Sequence, residues 1–222
     1  IVKDQRTAMV NEEYCGDCEF CPVTCPYGAI SLVPKDEEHF VVQISYLLCE
    51  GCGVCVGTCP LNAIELRHAR PNQMSAQIKA LMSINGTSKP LILAMCCSEC
   101  GHTAVDSSGA AMMQYPANVR VIKVPCAGIL QVQQFLEAFK AGAQGIMVVG
   151  CKSDGCHYEV GSQKAQKKVE LAKLLLKGYG VEPERLEMFN MVYIEGDKFA
   201  EAAQIMTERL EKLGLLQLMG AS

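Results

Sequence analysis

Two quartets of cysteine carry the chemistry most readily seen in this chain. Cys15, Cys18, Cys21 and Cys25 stand in the order C-x2-C-x2-C-x3-C-P, and Cys49, Cys52, Cys55 and Cys59 repeat that order 34 residues later. The copies close on CPYGAI and CPLNAI, so the period is an internal repeat as well as a motif. Four soft thiolates per copy suit iron–sulfur chemistry. Zinc knuckles would use paired C-x2-C, not three cysteines at spacing three followed by C-P. Six further cysteines follow a stretch that has none: Cys96, Cys97 and Cys100 in MCCSECG, Cys126 in VPCAG, and Cys151 and Cys156 in GCKSDGC. For these six the residue types admit a metal cluster, a C-x-x-C dithiol at Cys97 and Cys100, or a zinc site.

Composition narrows the setting. Fourteen cysteines would be a disulfide framework in a short secreted protein, but this chain has 222 residues and opens with no charged-then-apolar leader. Clustered thiols of this kind fit metal binding in a reducing compartment, and a cytoplasmic location is expected. A net charge of −4, from 20 basic and 24 acidic residues, gives no electrostatic footprint for nucleic acid. No apolar run approaches the roughly 18 residues of a membrane span. The chain begins at Ile1 rather than Met, which reads as a trimmed product or the tail of a longer polypeptide.

The elements that must position these cysteines fall into two patterns. Between the quartets, AISLV (29–33) and HFVVQIS (39–45) flank the turn PKDEE as a β-hairpin would. Gly51, Gly53 and Gly57 are expected to let backbone pass close to an inorganic cluster. Residues 71–82 predict a short amphipathic helix and 83–90 a loop, so 71–89 reads as a linker between domains at 1–70 and 90–222. Beyond it, strand-length apolar runs at 91–95, 119–124, 145–150 and 186–191 alternate with helical segments at 129–142, 163–180 and 197–214. The fold class expected is an α+β two-cluster ferredoxin-type domain followed by a three-layer α/β domain with a mainly parallel sheet. Leu171, Leu174 and Leu175 are expected in the core, and KAQKKVELAK on a solvated helix face. Cys97, Cys100, Cys126, Cys151 and Cys156 each follow a strand. In a parallel sheet the carboxyl ends of the strands share one edge, so these cysteines can converge there.

The paired runs are the bacterial ferredoxin signature, in which the fourth cysteine of each run serves the other cluster. One [4Fe–4S] cluster would then take Cys15, Cys18, Cys21 and Cys59, and the other Cys49, Cys52, Cys55 and Cys25. The blocks CCSECGHTAVDSSG, MMQYPANVRVIKVPCAG and GAQGIMVVGCKSDGCHYEVGSQKA resemble the methyl-viologen-reducing hydrogenase delta subunit family over roughly residues 90–215. That resemblance implies a [2Fe–2S] cluster on four of Cys97, Cys100, Cys126, Cys151 and Cys156, in a conduit joining a hydrogenase or formate dehydrogenase to heterodisulfide reductase. Cys96 continues a buried strand and is set aside. His102 and His157 are expected to be surface or supporting residues, and His39 and His68 solvated.

The first half is similar to the ferredoxin region that ends the flavin-bearing chain of heterodisulfide reductase, and also to the quinone-modifying oxidoreductase B subunit of sulfate reducers. Both resemblances imply FAD upstream or in a partner; the chain itself has no G-x-G-x-x-G fingerprint. They further imply a hetero-oligomeric complex with flavin-bearing, hydrogenase, formate dehydrogenase or quinone-linked subunits. No substrate-transforming residue is evident. The function expected is one-electron relay, with a ferredoxin-fed thiol–disulfide reductase and a zinc-stabilised docking module as rivals.

Overall fold

The computed structural model describes residues 6–83 and 89–217, so most of the loop expected at 83–90 lies outside the described residues. In the first half, β2 (Ile30–Pro34) and β3 (Phe40–Ile44) form the expected antiparallel hairpin, with Ile30 opposite Ile44 and Pro34 opposite Phe40. A second ribbon, unforeseen because it is so short, pairs β1 (Met9–Val10) with β4 (Ile64–Glu65) and ties the two ends of this half together. The helices α1 (Phe20–Thr24) and α2 (Val54–Thr58) carry Cys21 and Cys55, and each is capped by the last cysteine of its quartet in extended conformation.

The sequence repeat is also a repeat of backbone conformation. Left-handed φ values occur at Asp17, Glu19 and Gly28 in the first copy and at Gly51, Gly53 and Asn62, 34 positions on, in the second. The turns that wrap each quartet therefore demand the same conformation whichever residue occupies them.

In the second half, β5 (Ile92–Cys97), β6 (Val119–Val124), β7 (Gly145–Gly150) and β8 (Leu186–Asn190) form one parallel sheet in the order β6-β5-β7-β8. Both faces are covered, which is why the central strands β5 and β7 read as continuous apolar runs, whereas the edge strands β6 and β8 carry Arg120, Lys123 and Glu187. Leu93, Met95, Cys97, Ile146 and Val148 pack with α3 (Pro71–Met82), α5 (Val132–Lys140) and α6 (Gly161–Lys177). Ile92, Ala94, Cys96, Met147 and Val149 pack with α4 (Gly101–Ala110) and α7 (Gly196–Leu213) on the opposite face. The helix α4 was not foreseen, because GHTAVDSSGA holds two glycines and two serines and little apolar period. α3 lies against α5, where the Ser75 hydroxyl donates to Glu137 Oε2 at 2.5 Å. Among the described residues, no helix is long and apolar enough to cross a membrane.

One expectation about side chains is corrected. Leu171, Leu174 and Leu175 are not core: they are 50%, 74% and 51% exposed, and α6 buries Ala165, Val169, Ala172 and Leu176 instead. Small residues on the inner face let the helix lie close to the sheet, so the leucine stripe points out. Gly53 lines the cavity of Cys25, Cys49, Cys52 and Cys55, and all three second-copy glycines also meet close protein neighbours. A Cβ on Gly51 would meet Arg6 O at 2.6 Å, one on Gly53 would meet Ile129 Cδ1 at 2.6 Å, and one on Gly57 would meet Ile129 O and Lys168 Nζ at 2.5 Å. At Gly53 and Gly57 the neighbour is the second half of the chain, packed directly on the second quartet.

Candidate metal centres

Each quartet is assembled from both copies of the repeat. One apolar cavity is lined by Cys15, Cys18, Cys21 and Cys59 together with Leu32, Val42 and Ile64. The other is lined by Cys25, Cys49, Cys52 and Cys55 with Ile30 and Ile44. The fourth cysteine crosses over because α1 and α2 pack side by side and end at Cys25 and Cys59, beside the mouth of the opposite loop. Burial pushes the thiols of Cys21 and Cys52 up to about 11 and that of Cys55 higher still. Without a cation these sulfurs therefore stay protonated, and a centre that neutralises four thiolates at once suits them better than four free anions. The Ala63 N–H points at Cys59 Sγ at 3.3 Å, the kind of backbone donor that stabilises thiolate charge. Four soft donors around an apolar cavity fit an iron–sulfur cluster in each case.

The remaining cysteines meet at the carboxyl edge of the sheet. Cys97 ends β5, Cys100 opens the turn into α4, Cys126 follows β6, and Cys151 follows β7. Cys97 Sγ lies 3.8 Å from Cys151 Sγ. Cys100 Sγ lies within 4.8 Å of Cys151 Sγ, and Cys126 and Cys156 both stand against Gly161. Proximity to Cys156 holds Cys126 and Cys151 well above the ordinary thiol range, and proximity to Cys151 and to Cys126 holds Cys97 and Cys156, respectively, below it. Gly101 N–H donates to Cys97 Sγ at 3.2 Å and Gly128 N–H to Cys126 Sγ at 3.4 Å. A Cβ on Gly161 would stand 2.1 Å from Cys126 Sγ and 3.6 Å from Cys156 Sγ, so the start of α6 forms a wall of this site. The five thiols and their backbone donors suit a thiolate-bound iron–sulfur centre as well.

All five sequence-selected cysteines of the second half are thus brought together. Cys96 is not among them: it points to the opposite face, buried beside Ala94, Ala104 and Met147. His157 is nearer than its sequence position suggests, with Nδ1 3.6 Å from Cys100 Sγ and 3.8 Å from Cys151 Sγ. Cys100, Cys151 and His157 alone would satisfy three positions of a single metal ion. The turn at 153–155 folds His157 back over the site, a contact that linear spacing does not encode. His102 instead pairs with Asp106 at 3.2 Å, one turn along α4.

The two halves meet where their centres meet. Cys52 and Val54 pack against Cys126, flanked by Tyr27, Tyr158 and Val160. Gln131 Nε2 donates to Asn62 Oδ1 at 2.9 Å and Val56 O at 3.3 Å across the same seam. Lys168, expected on a solvated face, turns inward and donates to Gly128 O at 2.7 Å. Burial lowers this ammonium to about 8, partly offset by attraction to Cys126 and Cys55.

Comparison with known proteins agrees with this division. Residues 92–214 match the family model of the methyl-viologen-reducing hydrogenase, delta subunit, and residues 14–63 match the 4Fe-4S dicluster domain. The chain is 46% identical over 125 residues to the vhu iron-sulfur D subunit of the F420-non-reducing hydrogenase of Methanocaldococcus jannaschii, covering 56% of this chain and 93% of that one. It is 35% identical over 211 residues to the A subunit of the ferredoxin:CoB-CoM heterodisulfide reductase of Methanosarcina mazei, covering 95% of this chain but 26% of that one. The matching heterodisulfide reductase chain of Methanosarcina acetivorans is 33% identical over 211 residues, again 26% of its length. The chain thus spans about a quarter of the heterodisulfide reductase subunits it resembles. With more than half of its length matched, it belongs to the methyl-viologen-reducing hydrogenase delta subunit family, here joined to a 4Fe-4S dicluster domain.

Proposed function

We propose that the chain is an electron relay of a heterodisulfide-reductase-type oxidoreductase, in a reducing, cytoplasmic setting. Its ligands would be Cys15, Cys18, Cys21 and Cys59 for one [4Fe–4S] cluster and Cys25, Cys49, Cys52 and Cys55 for the other. Four of Cys97, Cys100, Cys126, Cys151 and Cys156 would hold a [2Fe–2S] cluster. Bound clusters would supply reversible one-electron chemistry. The protein supplies the thiolates, backbone N–H donors that stabilise their charge, and a water-poor seam. The order that follows from the packing is sheet-edge site, then the Cys52 quartet, then the Cys15 quartet, and from there a flavin in a partner or an upstream region. The observation that carries this reading is that Cys52, Val54 and Cys126 form one buried cluster, which sets two thiol-lined sites side by side.

His157 has a supporting part: its Nδ1 lies within reach of two ligand sulfurs, where a donated N–H would stabilise thiolate charge. No general base, nucleophile or substrate cleft distinct from these sites is part of the reading.

The test is iron, inorganic sulfide and zinc per chain after anaerobic purification. About ten irons with matching sulfide is the expected result for two four-iron clusters and one two-iron cluster. About eight irons with zinc would instead make the second half a docking module built on Cys100, Cys151 and His157. About eight irons with no zinc would favour dithiol chemistry at Cys97 and Cys100, with Cys151 Sγ 3.8 Å from Cys97 Sγ as a further thiol.

A further inference from the structure

A cleft of about 470 Å³ opens at the seam, walled by Thr58, Cys59 and Pro60 on one side and by Lys164, Lys168 and Leu171 of α6 on the other. Its α6 wall belongs to a longer stripe. Lys164, Lys167, Lys168, Leu171, Leu174 and Leu175 recur at helical spacing and share one side of the helix. Apart from Lys168, which bonds Gly128 O, the residues of this stripe are poorly explained by the fold alone. Among the described residues none of the three lysines forms an ion pair, although Lys173 on the same helix pairs with Glu187 at 3.1 Å. Like charges three and four positions apart oppose one another on a helix surface, and Lys164 does act against the charge on Lys168. The leucines that continue the stripe are half to three-quarters exposed. Contiguous exposed leucine beside unneutralised lysine has the make-up of an interface, an apolar centre with a charged border.

Position gives the interface a purpose. The lysine end of the stripe overhangs Cys59, a sulfur assigned above to the Cys15 quartet. We propose that this α6 stripe and the cleft over Cys59 form the docking site of an acidic electron-carrier protein. Carboxylates of the carrier would meet Lys164 and Lys167, and an apolar patch would cover Leu171, Leu174 and Leu175. In each encounter the carrier would be oxidised by one electron and the chain reduced by one, with no bond made or broken. This rests on the relay reading above. A protein carrier is favoured over a small anion because the leucines extend the surface well past the cleft.

The test is the affinity of the intact, cluster-loaded chain for a small acidic two-[4Fe–4S] ferredoxin, measured at low and high salt. The wild type is compared with Lys164→Glu/Lys167→Glu and with Leu174→Asp; Lys168 is left alone because its ammonium bonds Gly128 O. The expected result is binding that weakens with salt, and a loss of about tenfold or more in the double charge reversal at low salt. Leu174→Asp should weaken binding at both salt concentrations. Affinities within twofold of wild type in both variants would overturn the docking site, as would a wild type that does not bind the ferredoxin. A wild type that sediments as a dimer, and a Leu174→Asp variant that does not, would also overturn it, because the stripe would then cover a second copy of the chain. Iron content and photoreduction by neutral deazaflavin, taken on the same samples, separate the two readings. Fully loaded, reducible chains with no variant effect overturn the docking site alone. Chains without a reducible cluster overturn the relay and the docking site with it.

Discussion

Gly161→Ala is the most informative single change for the sheet-edge site. Gly161 opens α6, and in an unconstrained helix alanine would be favoured there by up to about 1 kcal/mol. Here the added methyl would stand 2.1 Å from Cys126 Sγ, against roughly 3.5–4 Å for a comfortable heavy-atom contact. Cys126 is 2% exposed and its sulfur accepts the Gly128 N–H at 3.4 Å, so the sulfur has little room to turn aside. Relief requires moving either that sulfur or the first turn of α6, at a cost of about 1–3 kcal/mol for an overpacked site. Packing therefore outweighs propensity.

The consequence for metal depends on whether Cys126 is one of the four ligands. The methyl would clash with Cys126 Sγ at 2.1 Å but stand at an ordinary contact distance, 3.6 Å, from Cys156 Sγ. With Cys126 as a ligand, Gly161→Ala should lower iron from about ten to about eight per chain, with sulfide in step. The electron-paramagnetic-resonance signals of the two reduced four-iron clusters should persist. A variant that keeps all ten irons and an unchanged spectrum would refute Cys126 as a ligand of that centre.

The other expectations concern the scaffold. Glu19→Gly should raise the denaturant midpoint by the equivalent of about 0.5–1 kcal/mol, since Glu19 sits at φ 57° where the second copy has Gly53 at φ 76°. That gain is the roughly 1–2 kcal/mol relieved at a left-handed residue less the roughly 0.4–1 kcal/mol that glycine adds in unfolded-chain entropy; an unchanged or lower midpoint would argue against it. Gly57→Val should open the seam, because the side chain would run into Ile129 O, Gly128 O and Lys168 Nζ, and faster proteolysis between the halves is the readout. The matching change Val23→Gly, at a position 86% exposed, should stay within about 0.5 kcal/mol of wild type. Arg185→Ala should cost about 3–5 kcal/mol by thermal denaturation, for the guanidinium is fully buried and serves Glu182 and the carbonyls of Gln144 and Gly214. Arg185 also holds the Glu182 carboxyl below its ordinary 4.5, so their pairing stabilises the fold above that pH and is lost as pH falls through the depressed value. Glu182→Gln should therefore be less stable than wild type at pH 6, and the difference should shrink toward pH 3 in an acid titration followed by circular dichroism.

What could be read from the sequence, and what could not, divides by range. Strand β7 was legible to the residue because a central parallel strand covered on both faces must be continuously apolar, as GIMVVG is, and the edge strand β6 because VRVIKV is rich in β-branched residues despite Arg120 and Lys123. The two quartets were legible because each set of turns is local. The gathering of Cys97, Cys126 and Cys151 followed from topology, since parallel strands deliver their ends to one edge. Helix α6 shows the limit. It carries two apolar stripes, and periodicity cannot say which one is buried; the small set of Ala165, Val169 and Ala172 won because it permits closer packing than the leucines. His157 and the inward turn of Lys168 were illegible for a related reason, because each depends on a surface that exists only once the chain has folded around it.

The docking of the two halves also explains how the two copies of the repeat came to differ. Their backbones agree, with left-handed residues at matching positions, so the turns around the quartets impose one geometry on both. Their side chains differ where their neighbours differ. Where the first copy has Asp17, Glu19 and Val23, the second has Gly51, Gly53 and Gly57, and at the last two the second half of the chain occupies the space a side chain would take. The first copy faces outward, with Cys18, Glu19 and Val23 exposed, whereas Cys52 and Cys55 are buried. A symmetric two-centre module has thus been given an inside and an outside by packing alone. Under the proposed relay this fixes the order of the centres without any appeal to their potentials. The inner quartet adjoins Cys126, and the outer quartet, through Cys59 and the exposed Cys18, is the one a partner can approach. Exchanging the potentials of the two quartets by mutation should then alter rates of transfer, but not which quartet a docked carrier reduces first.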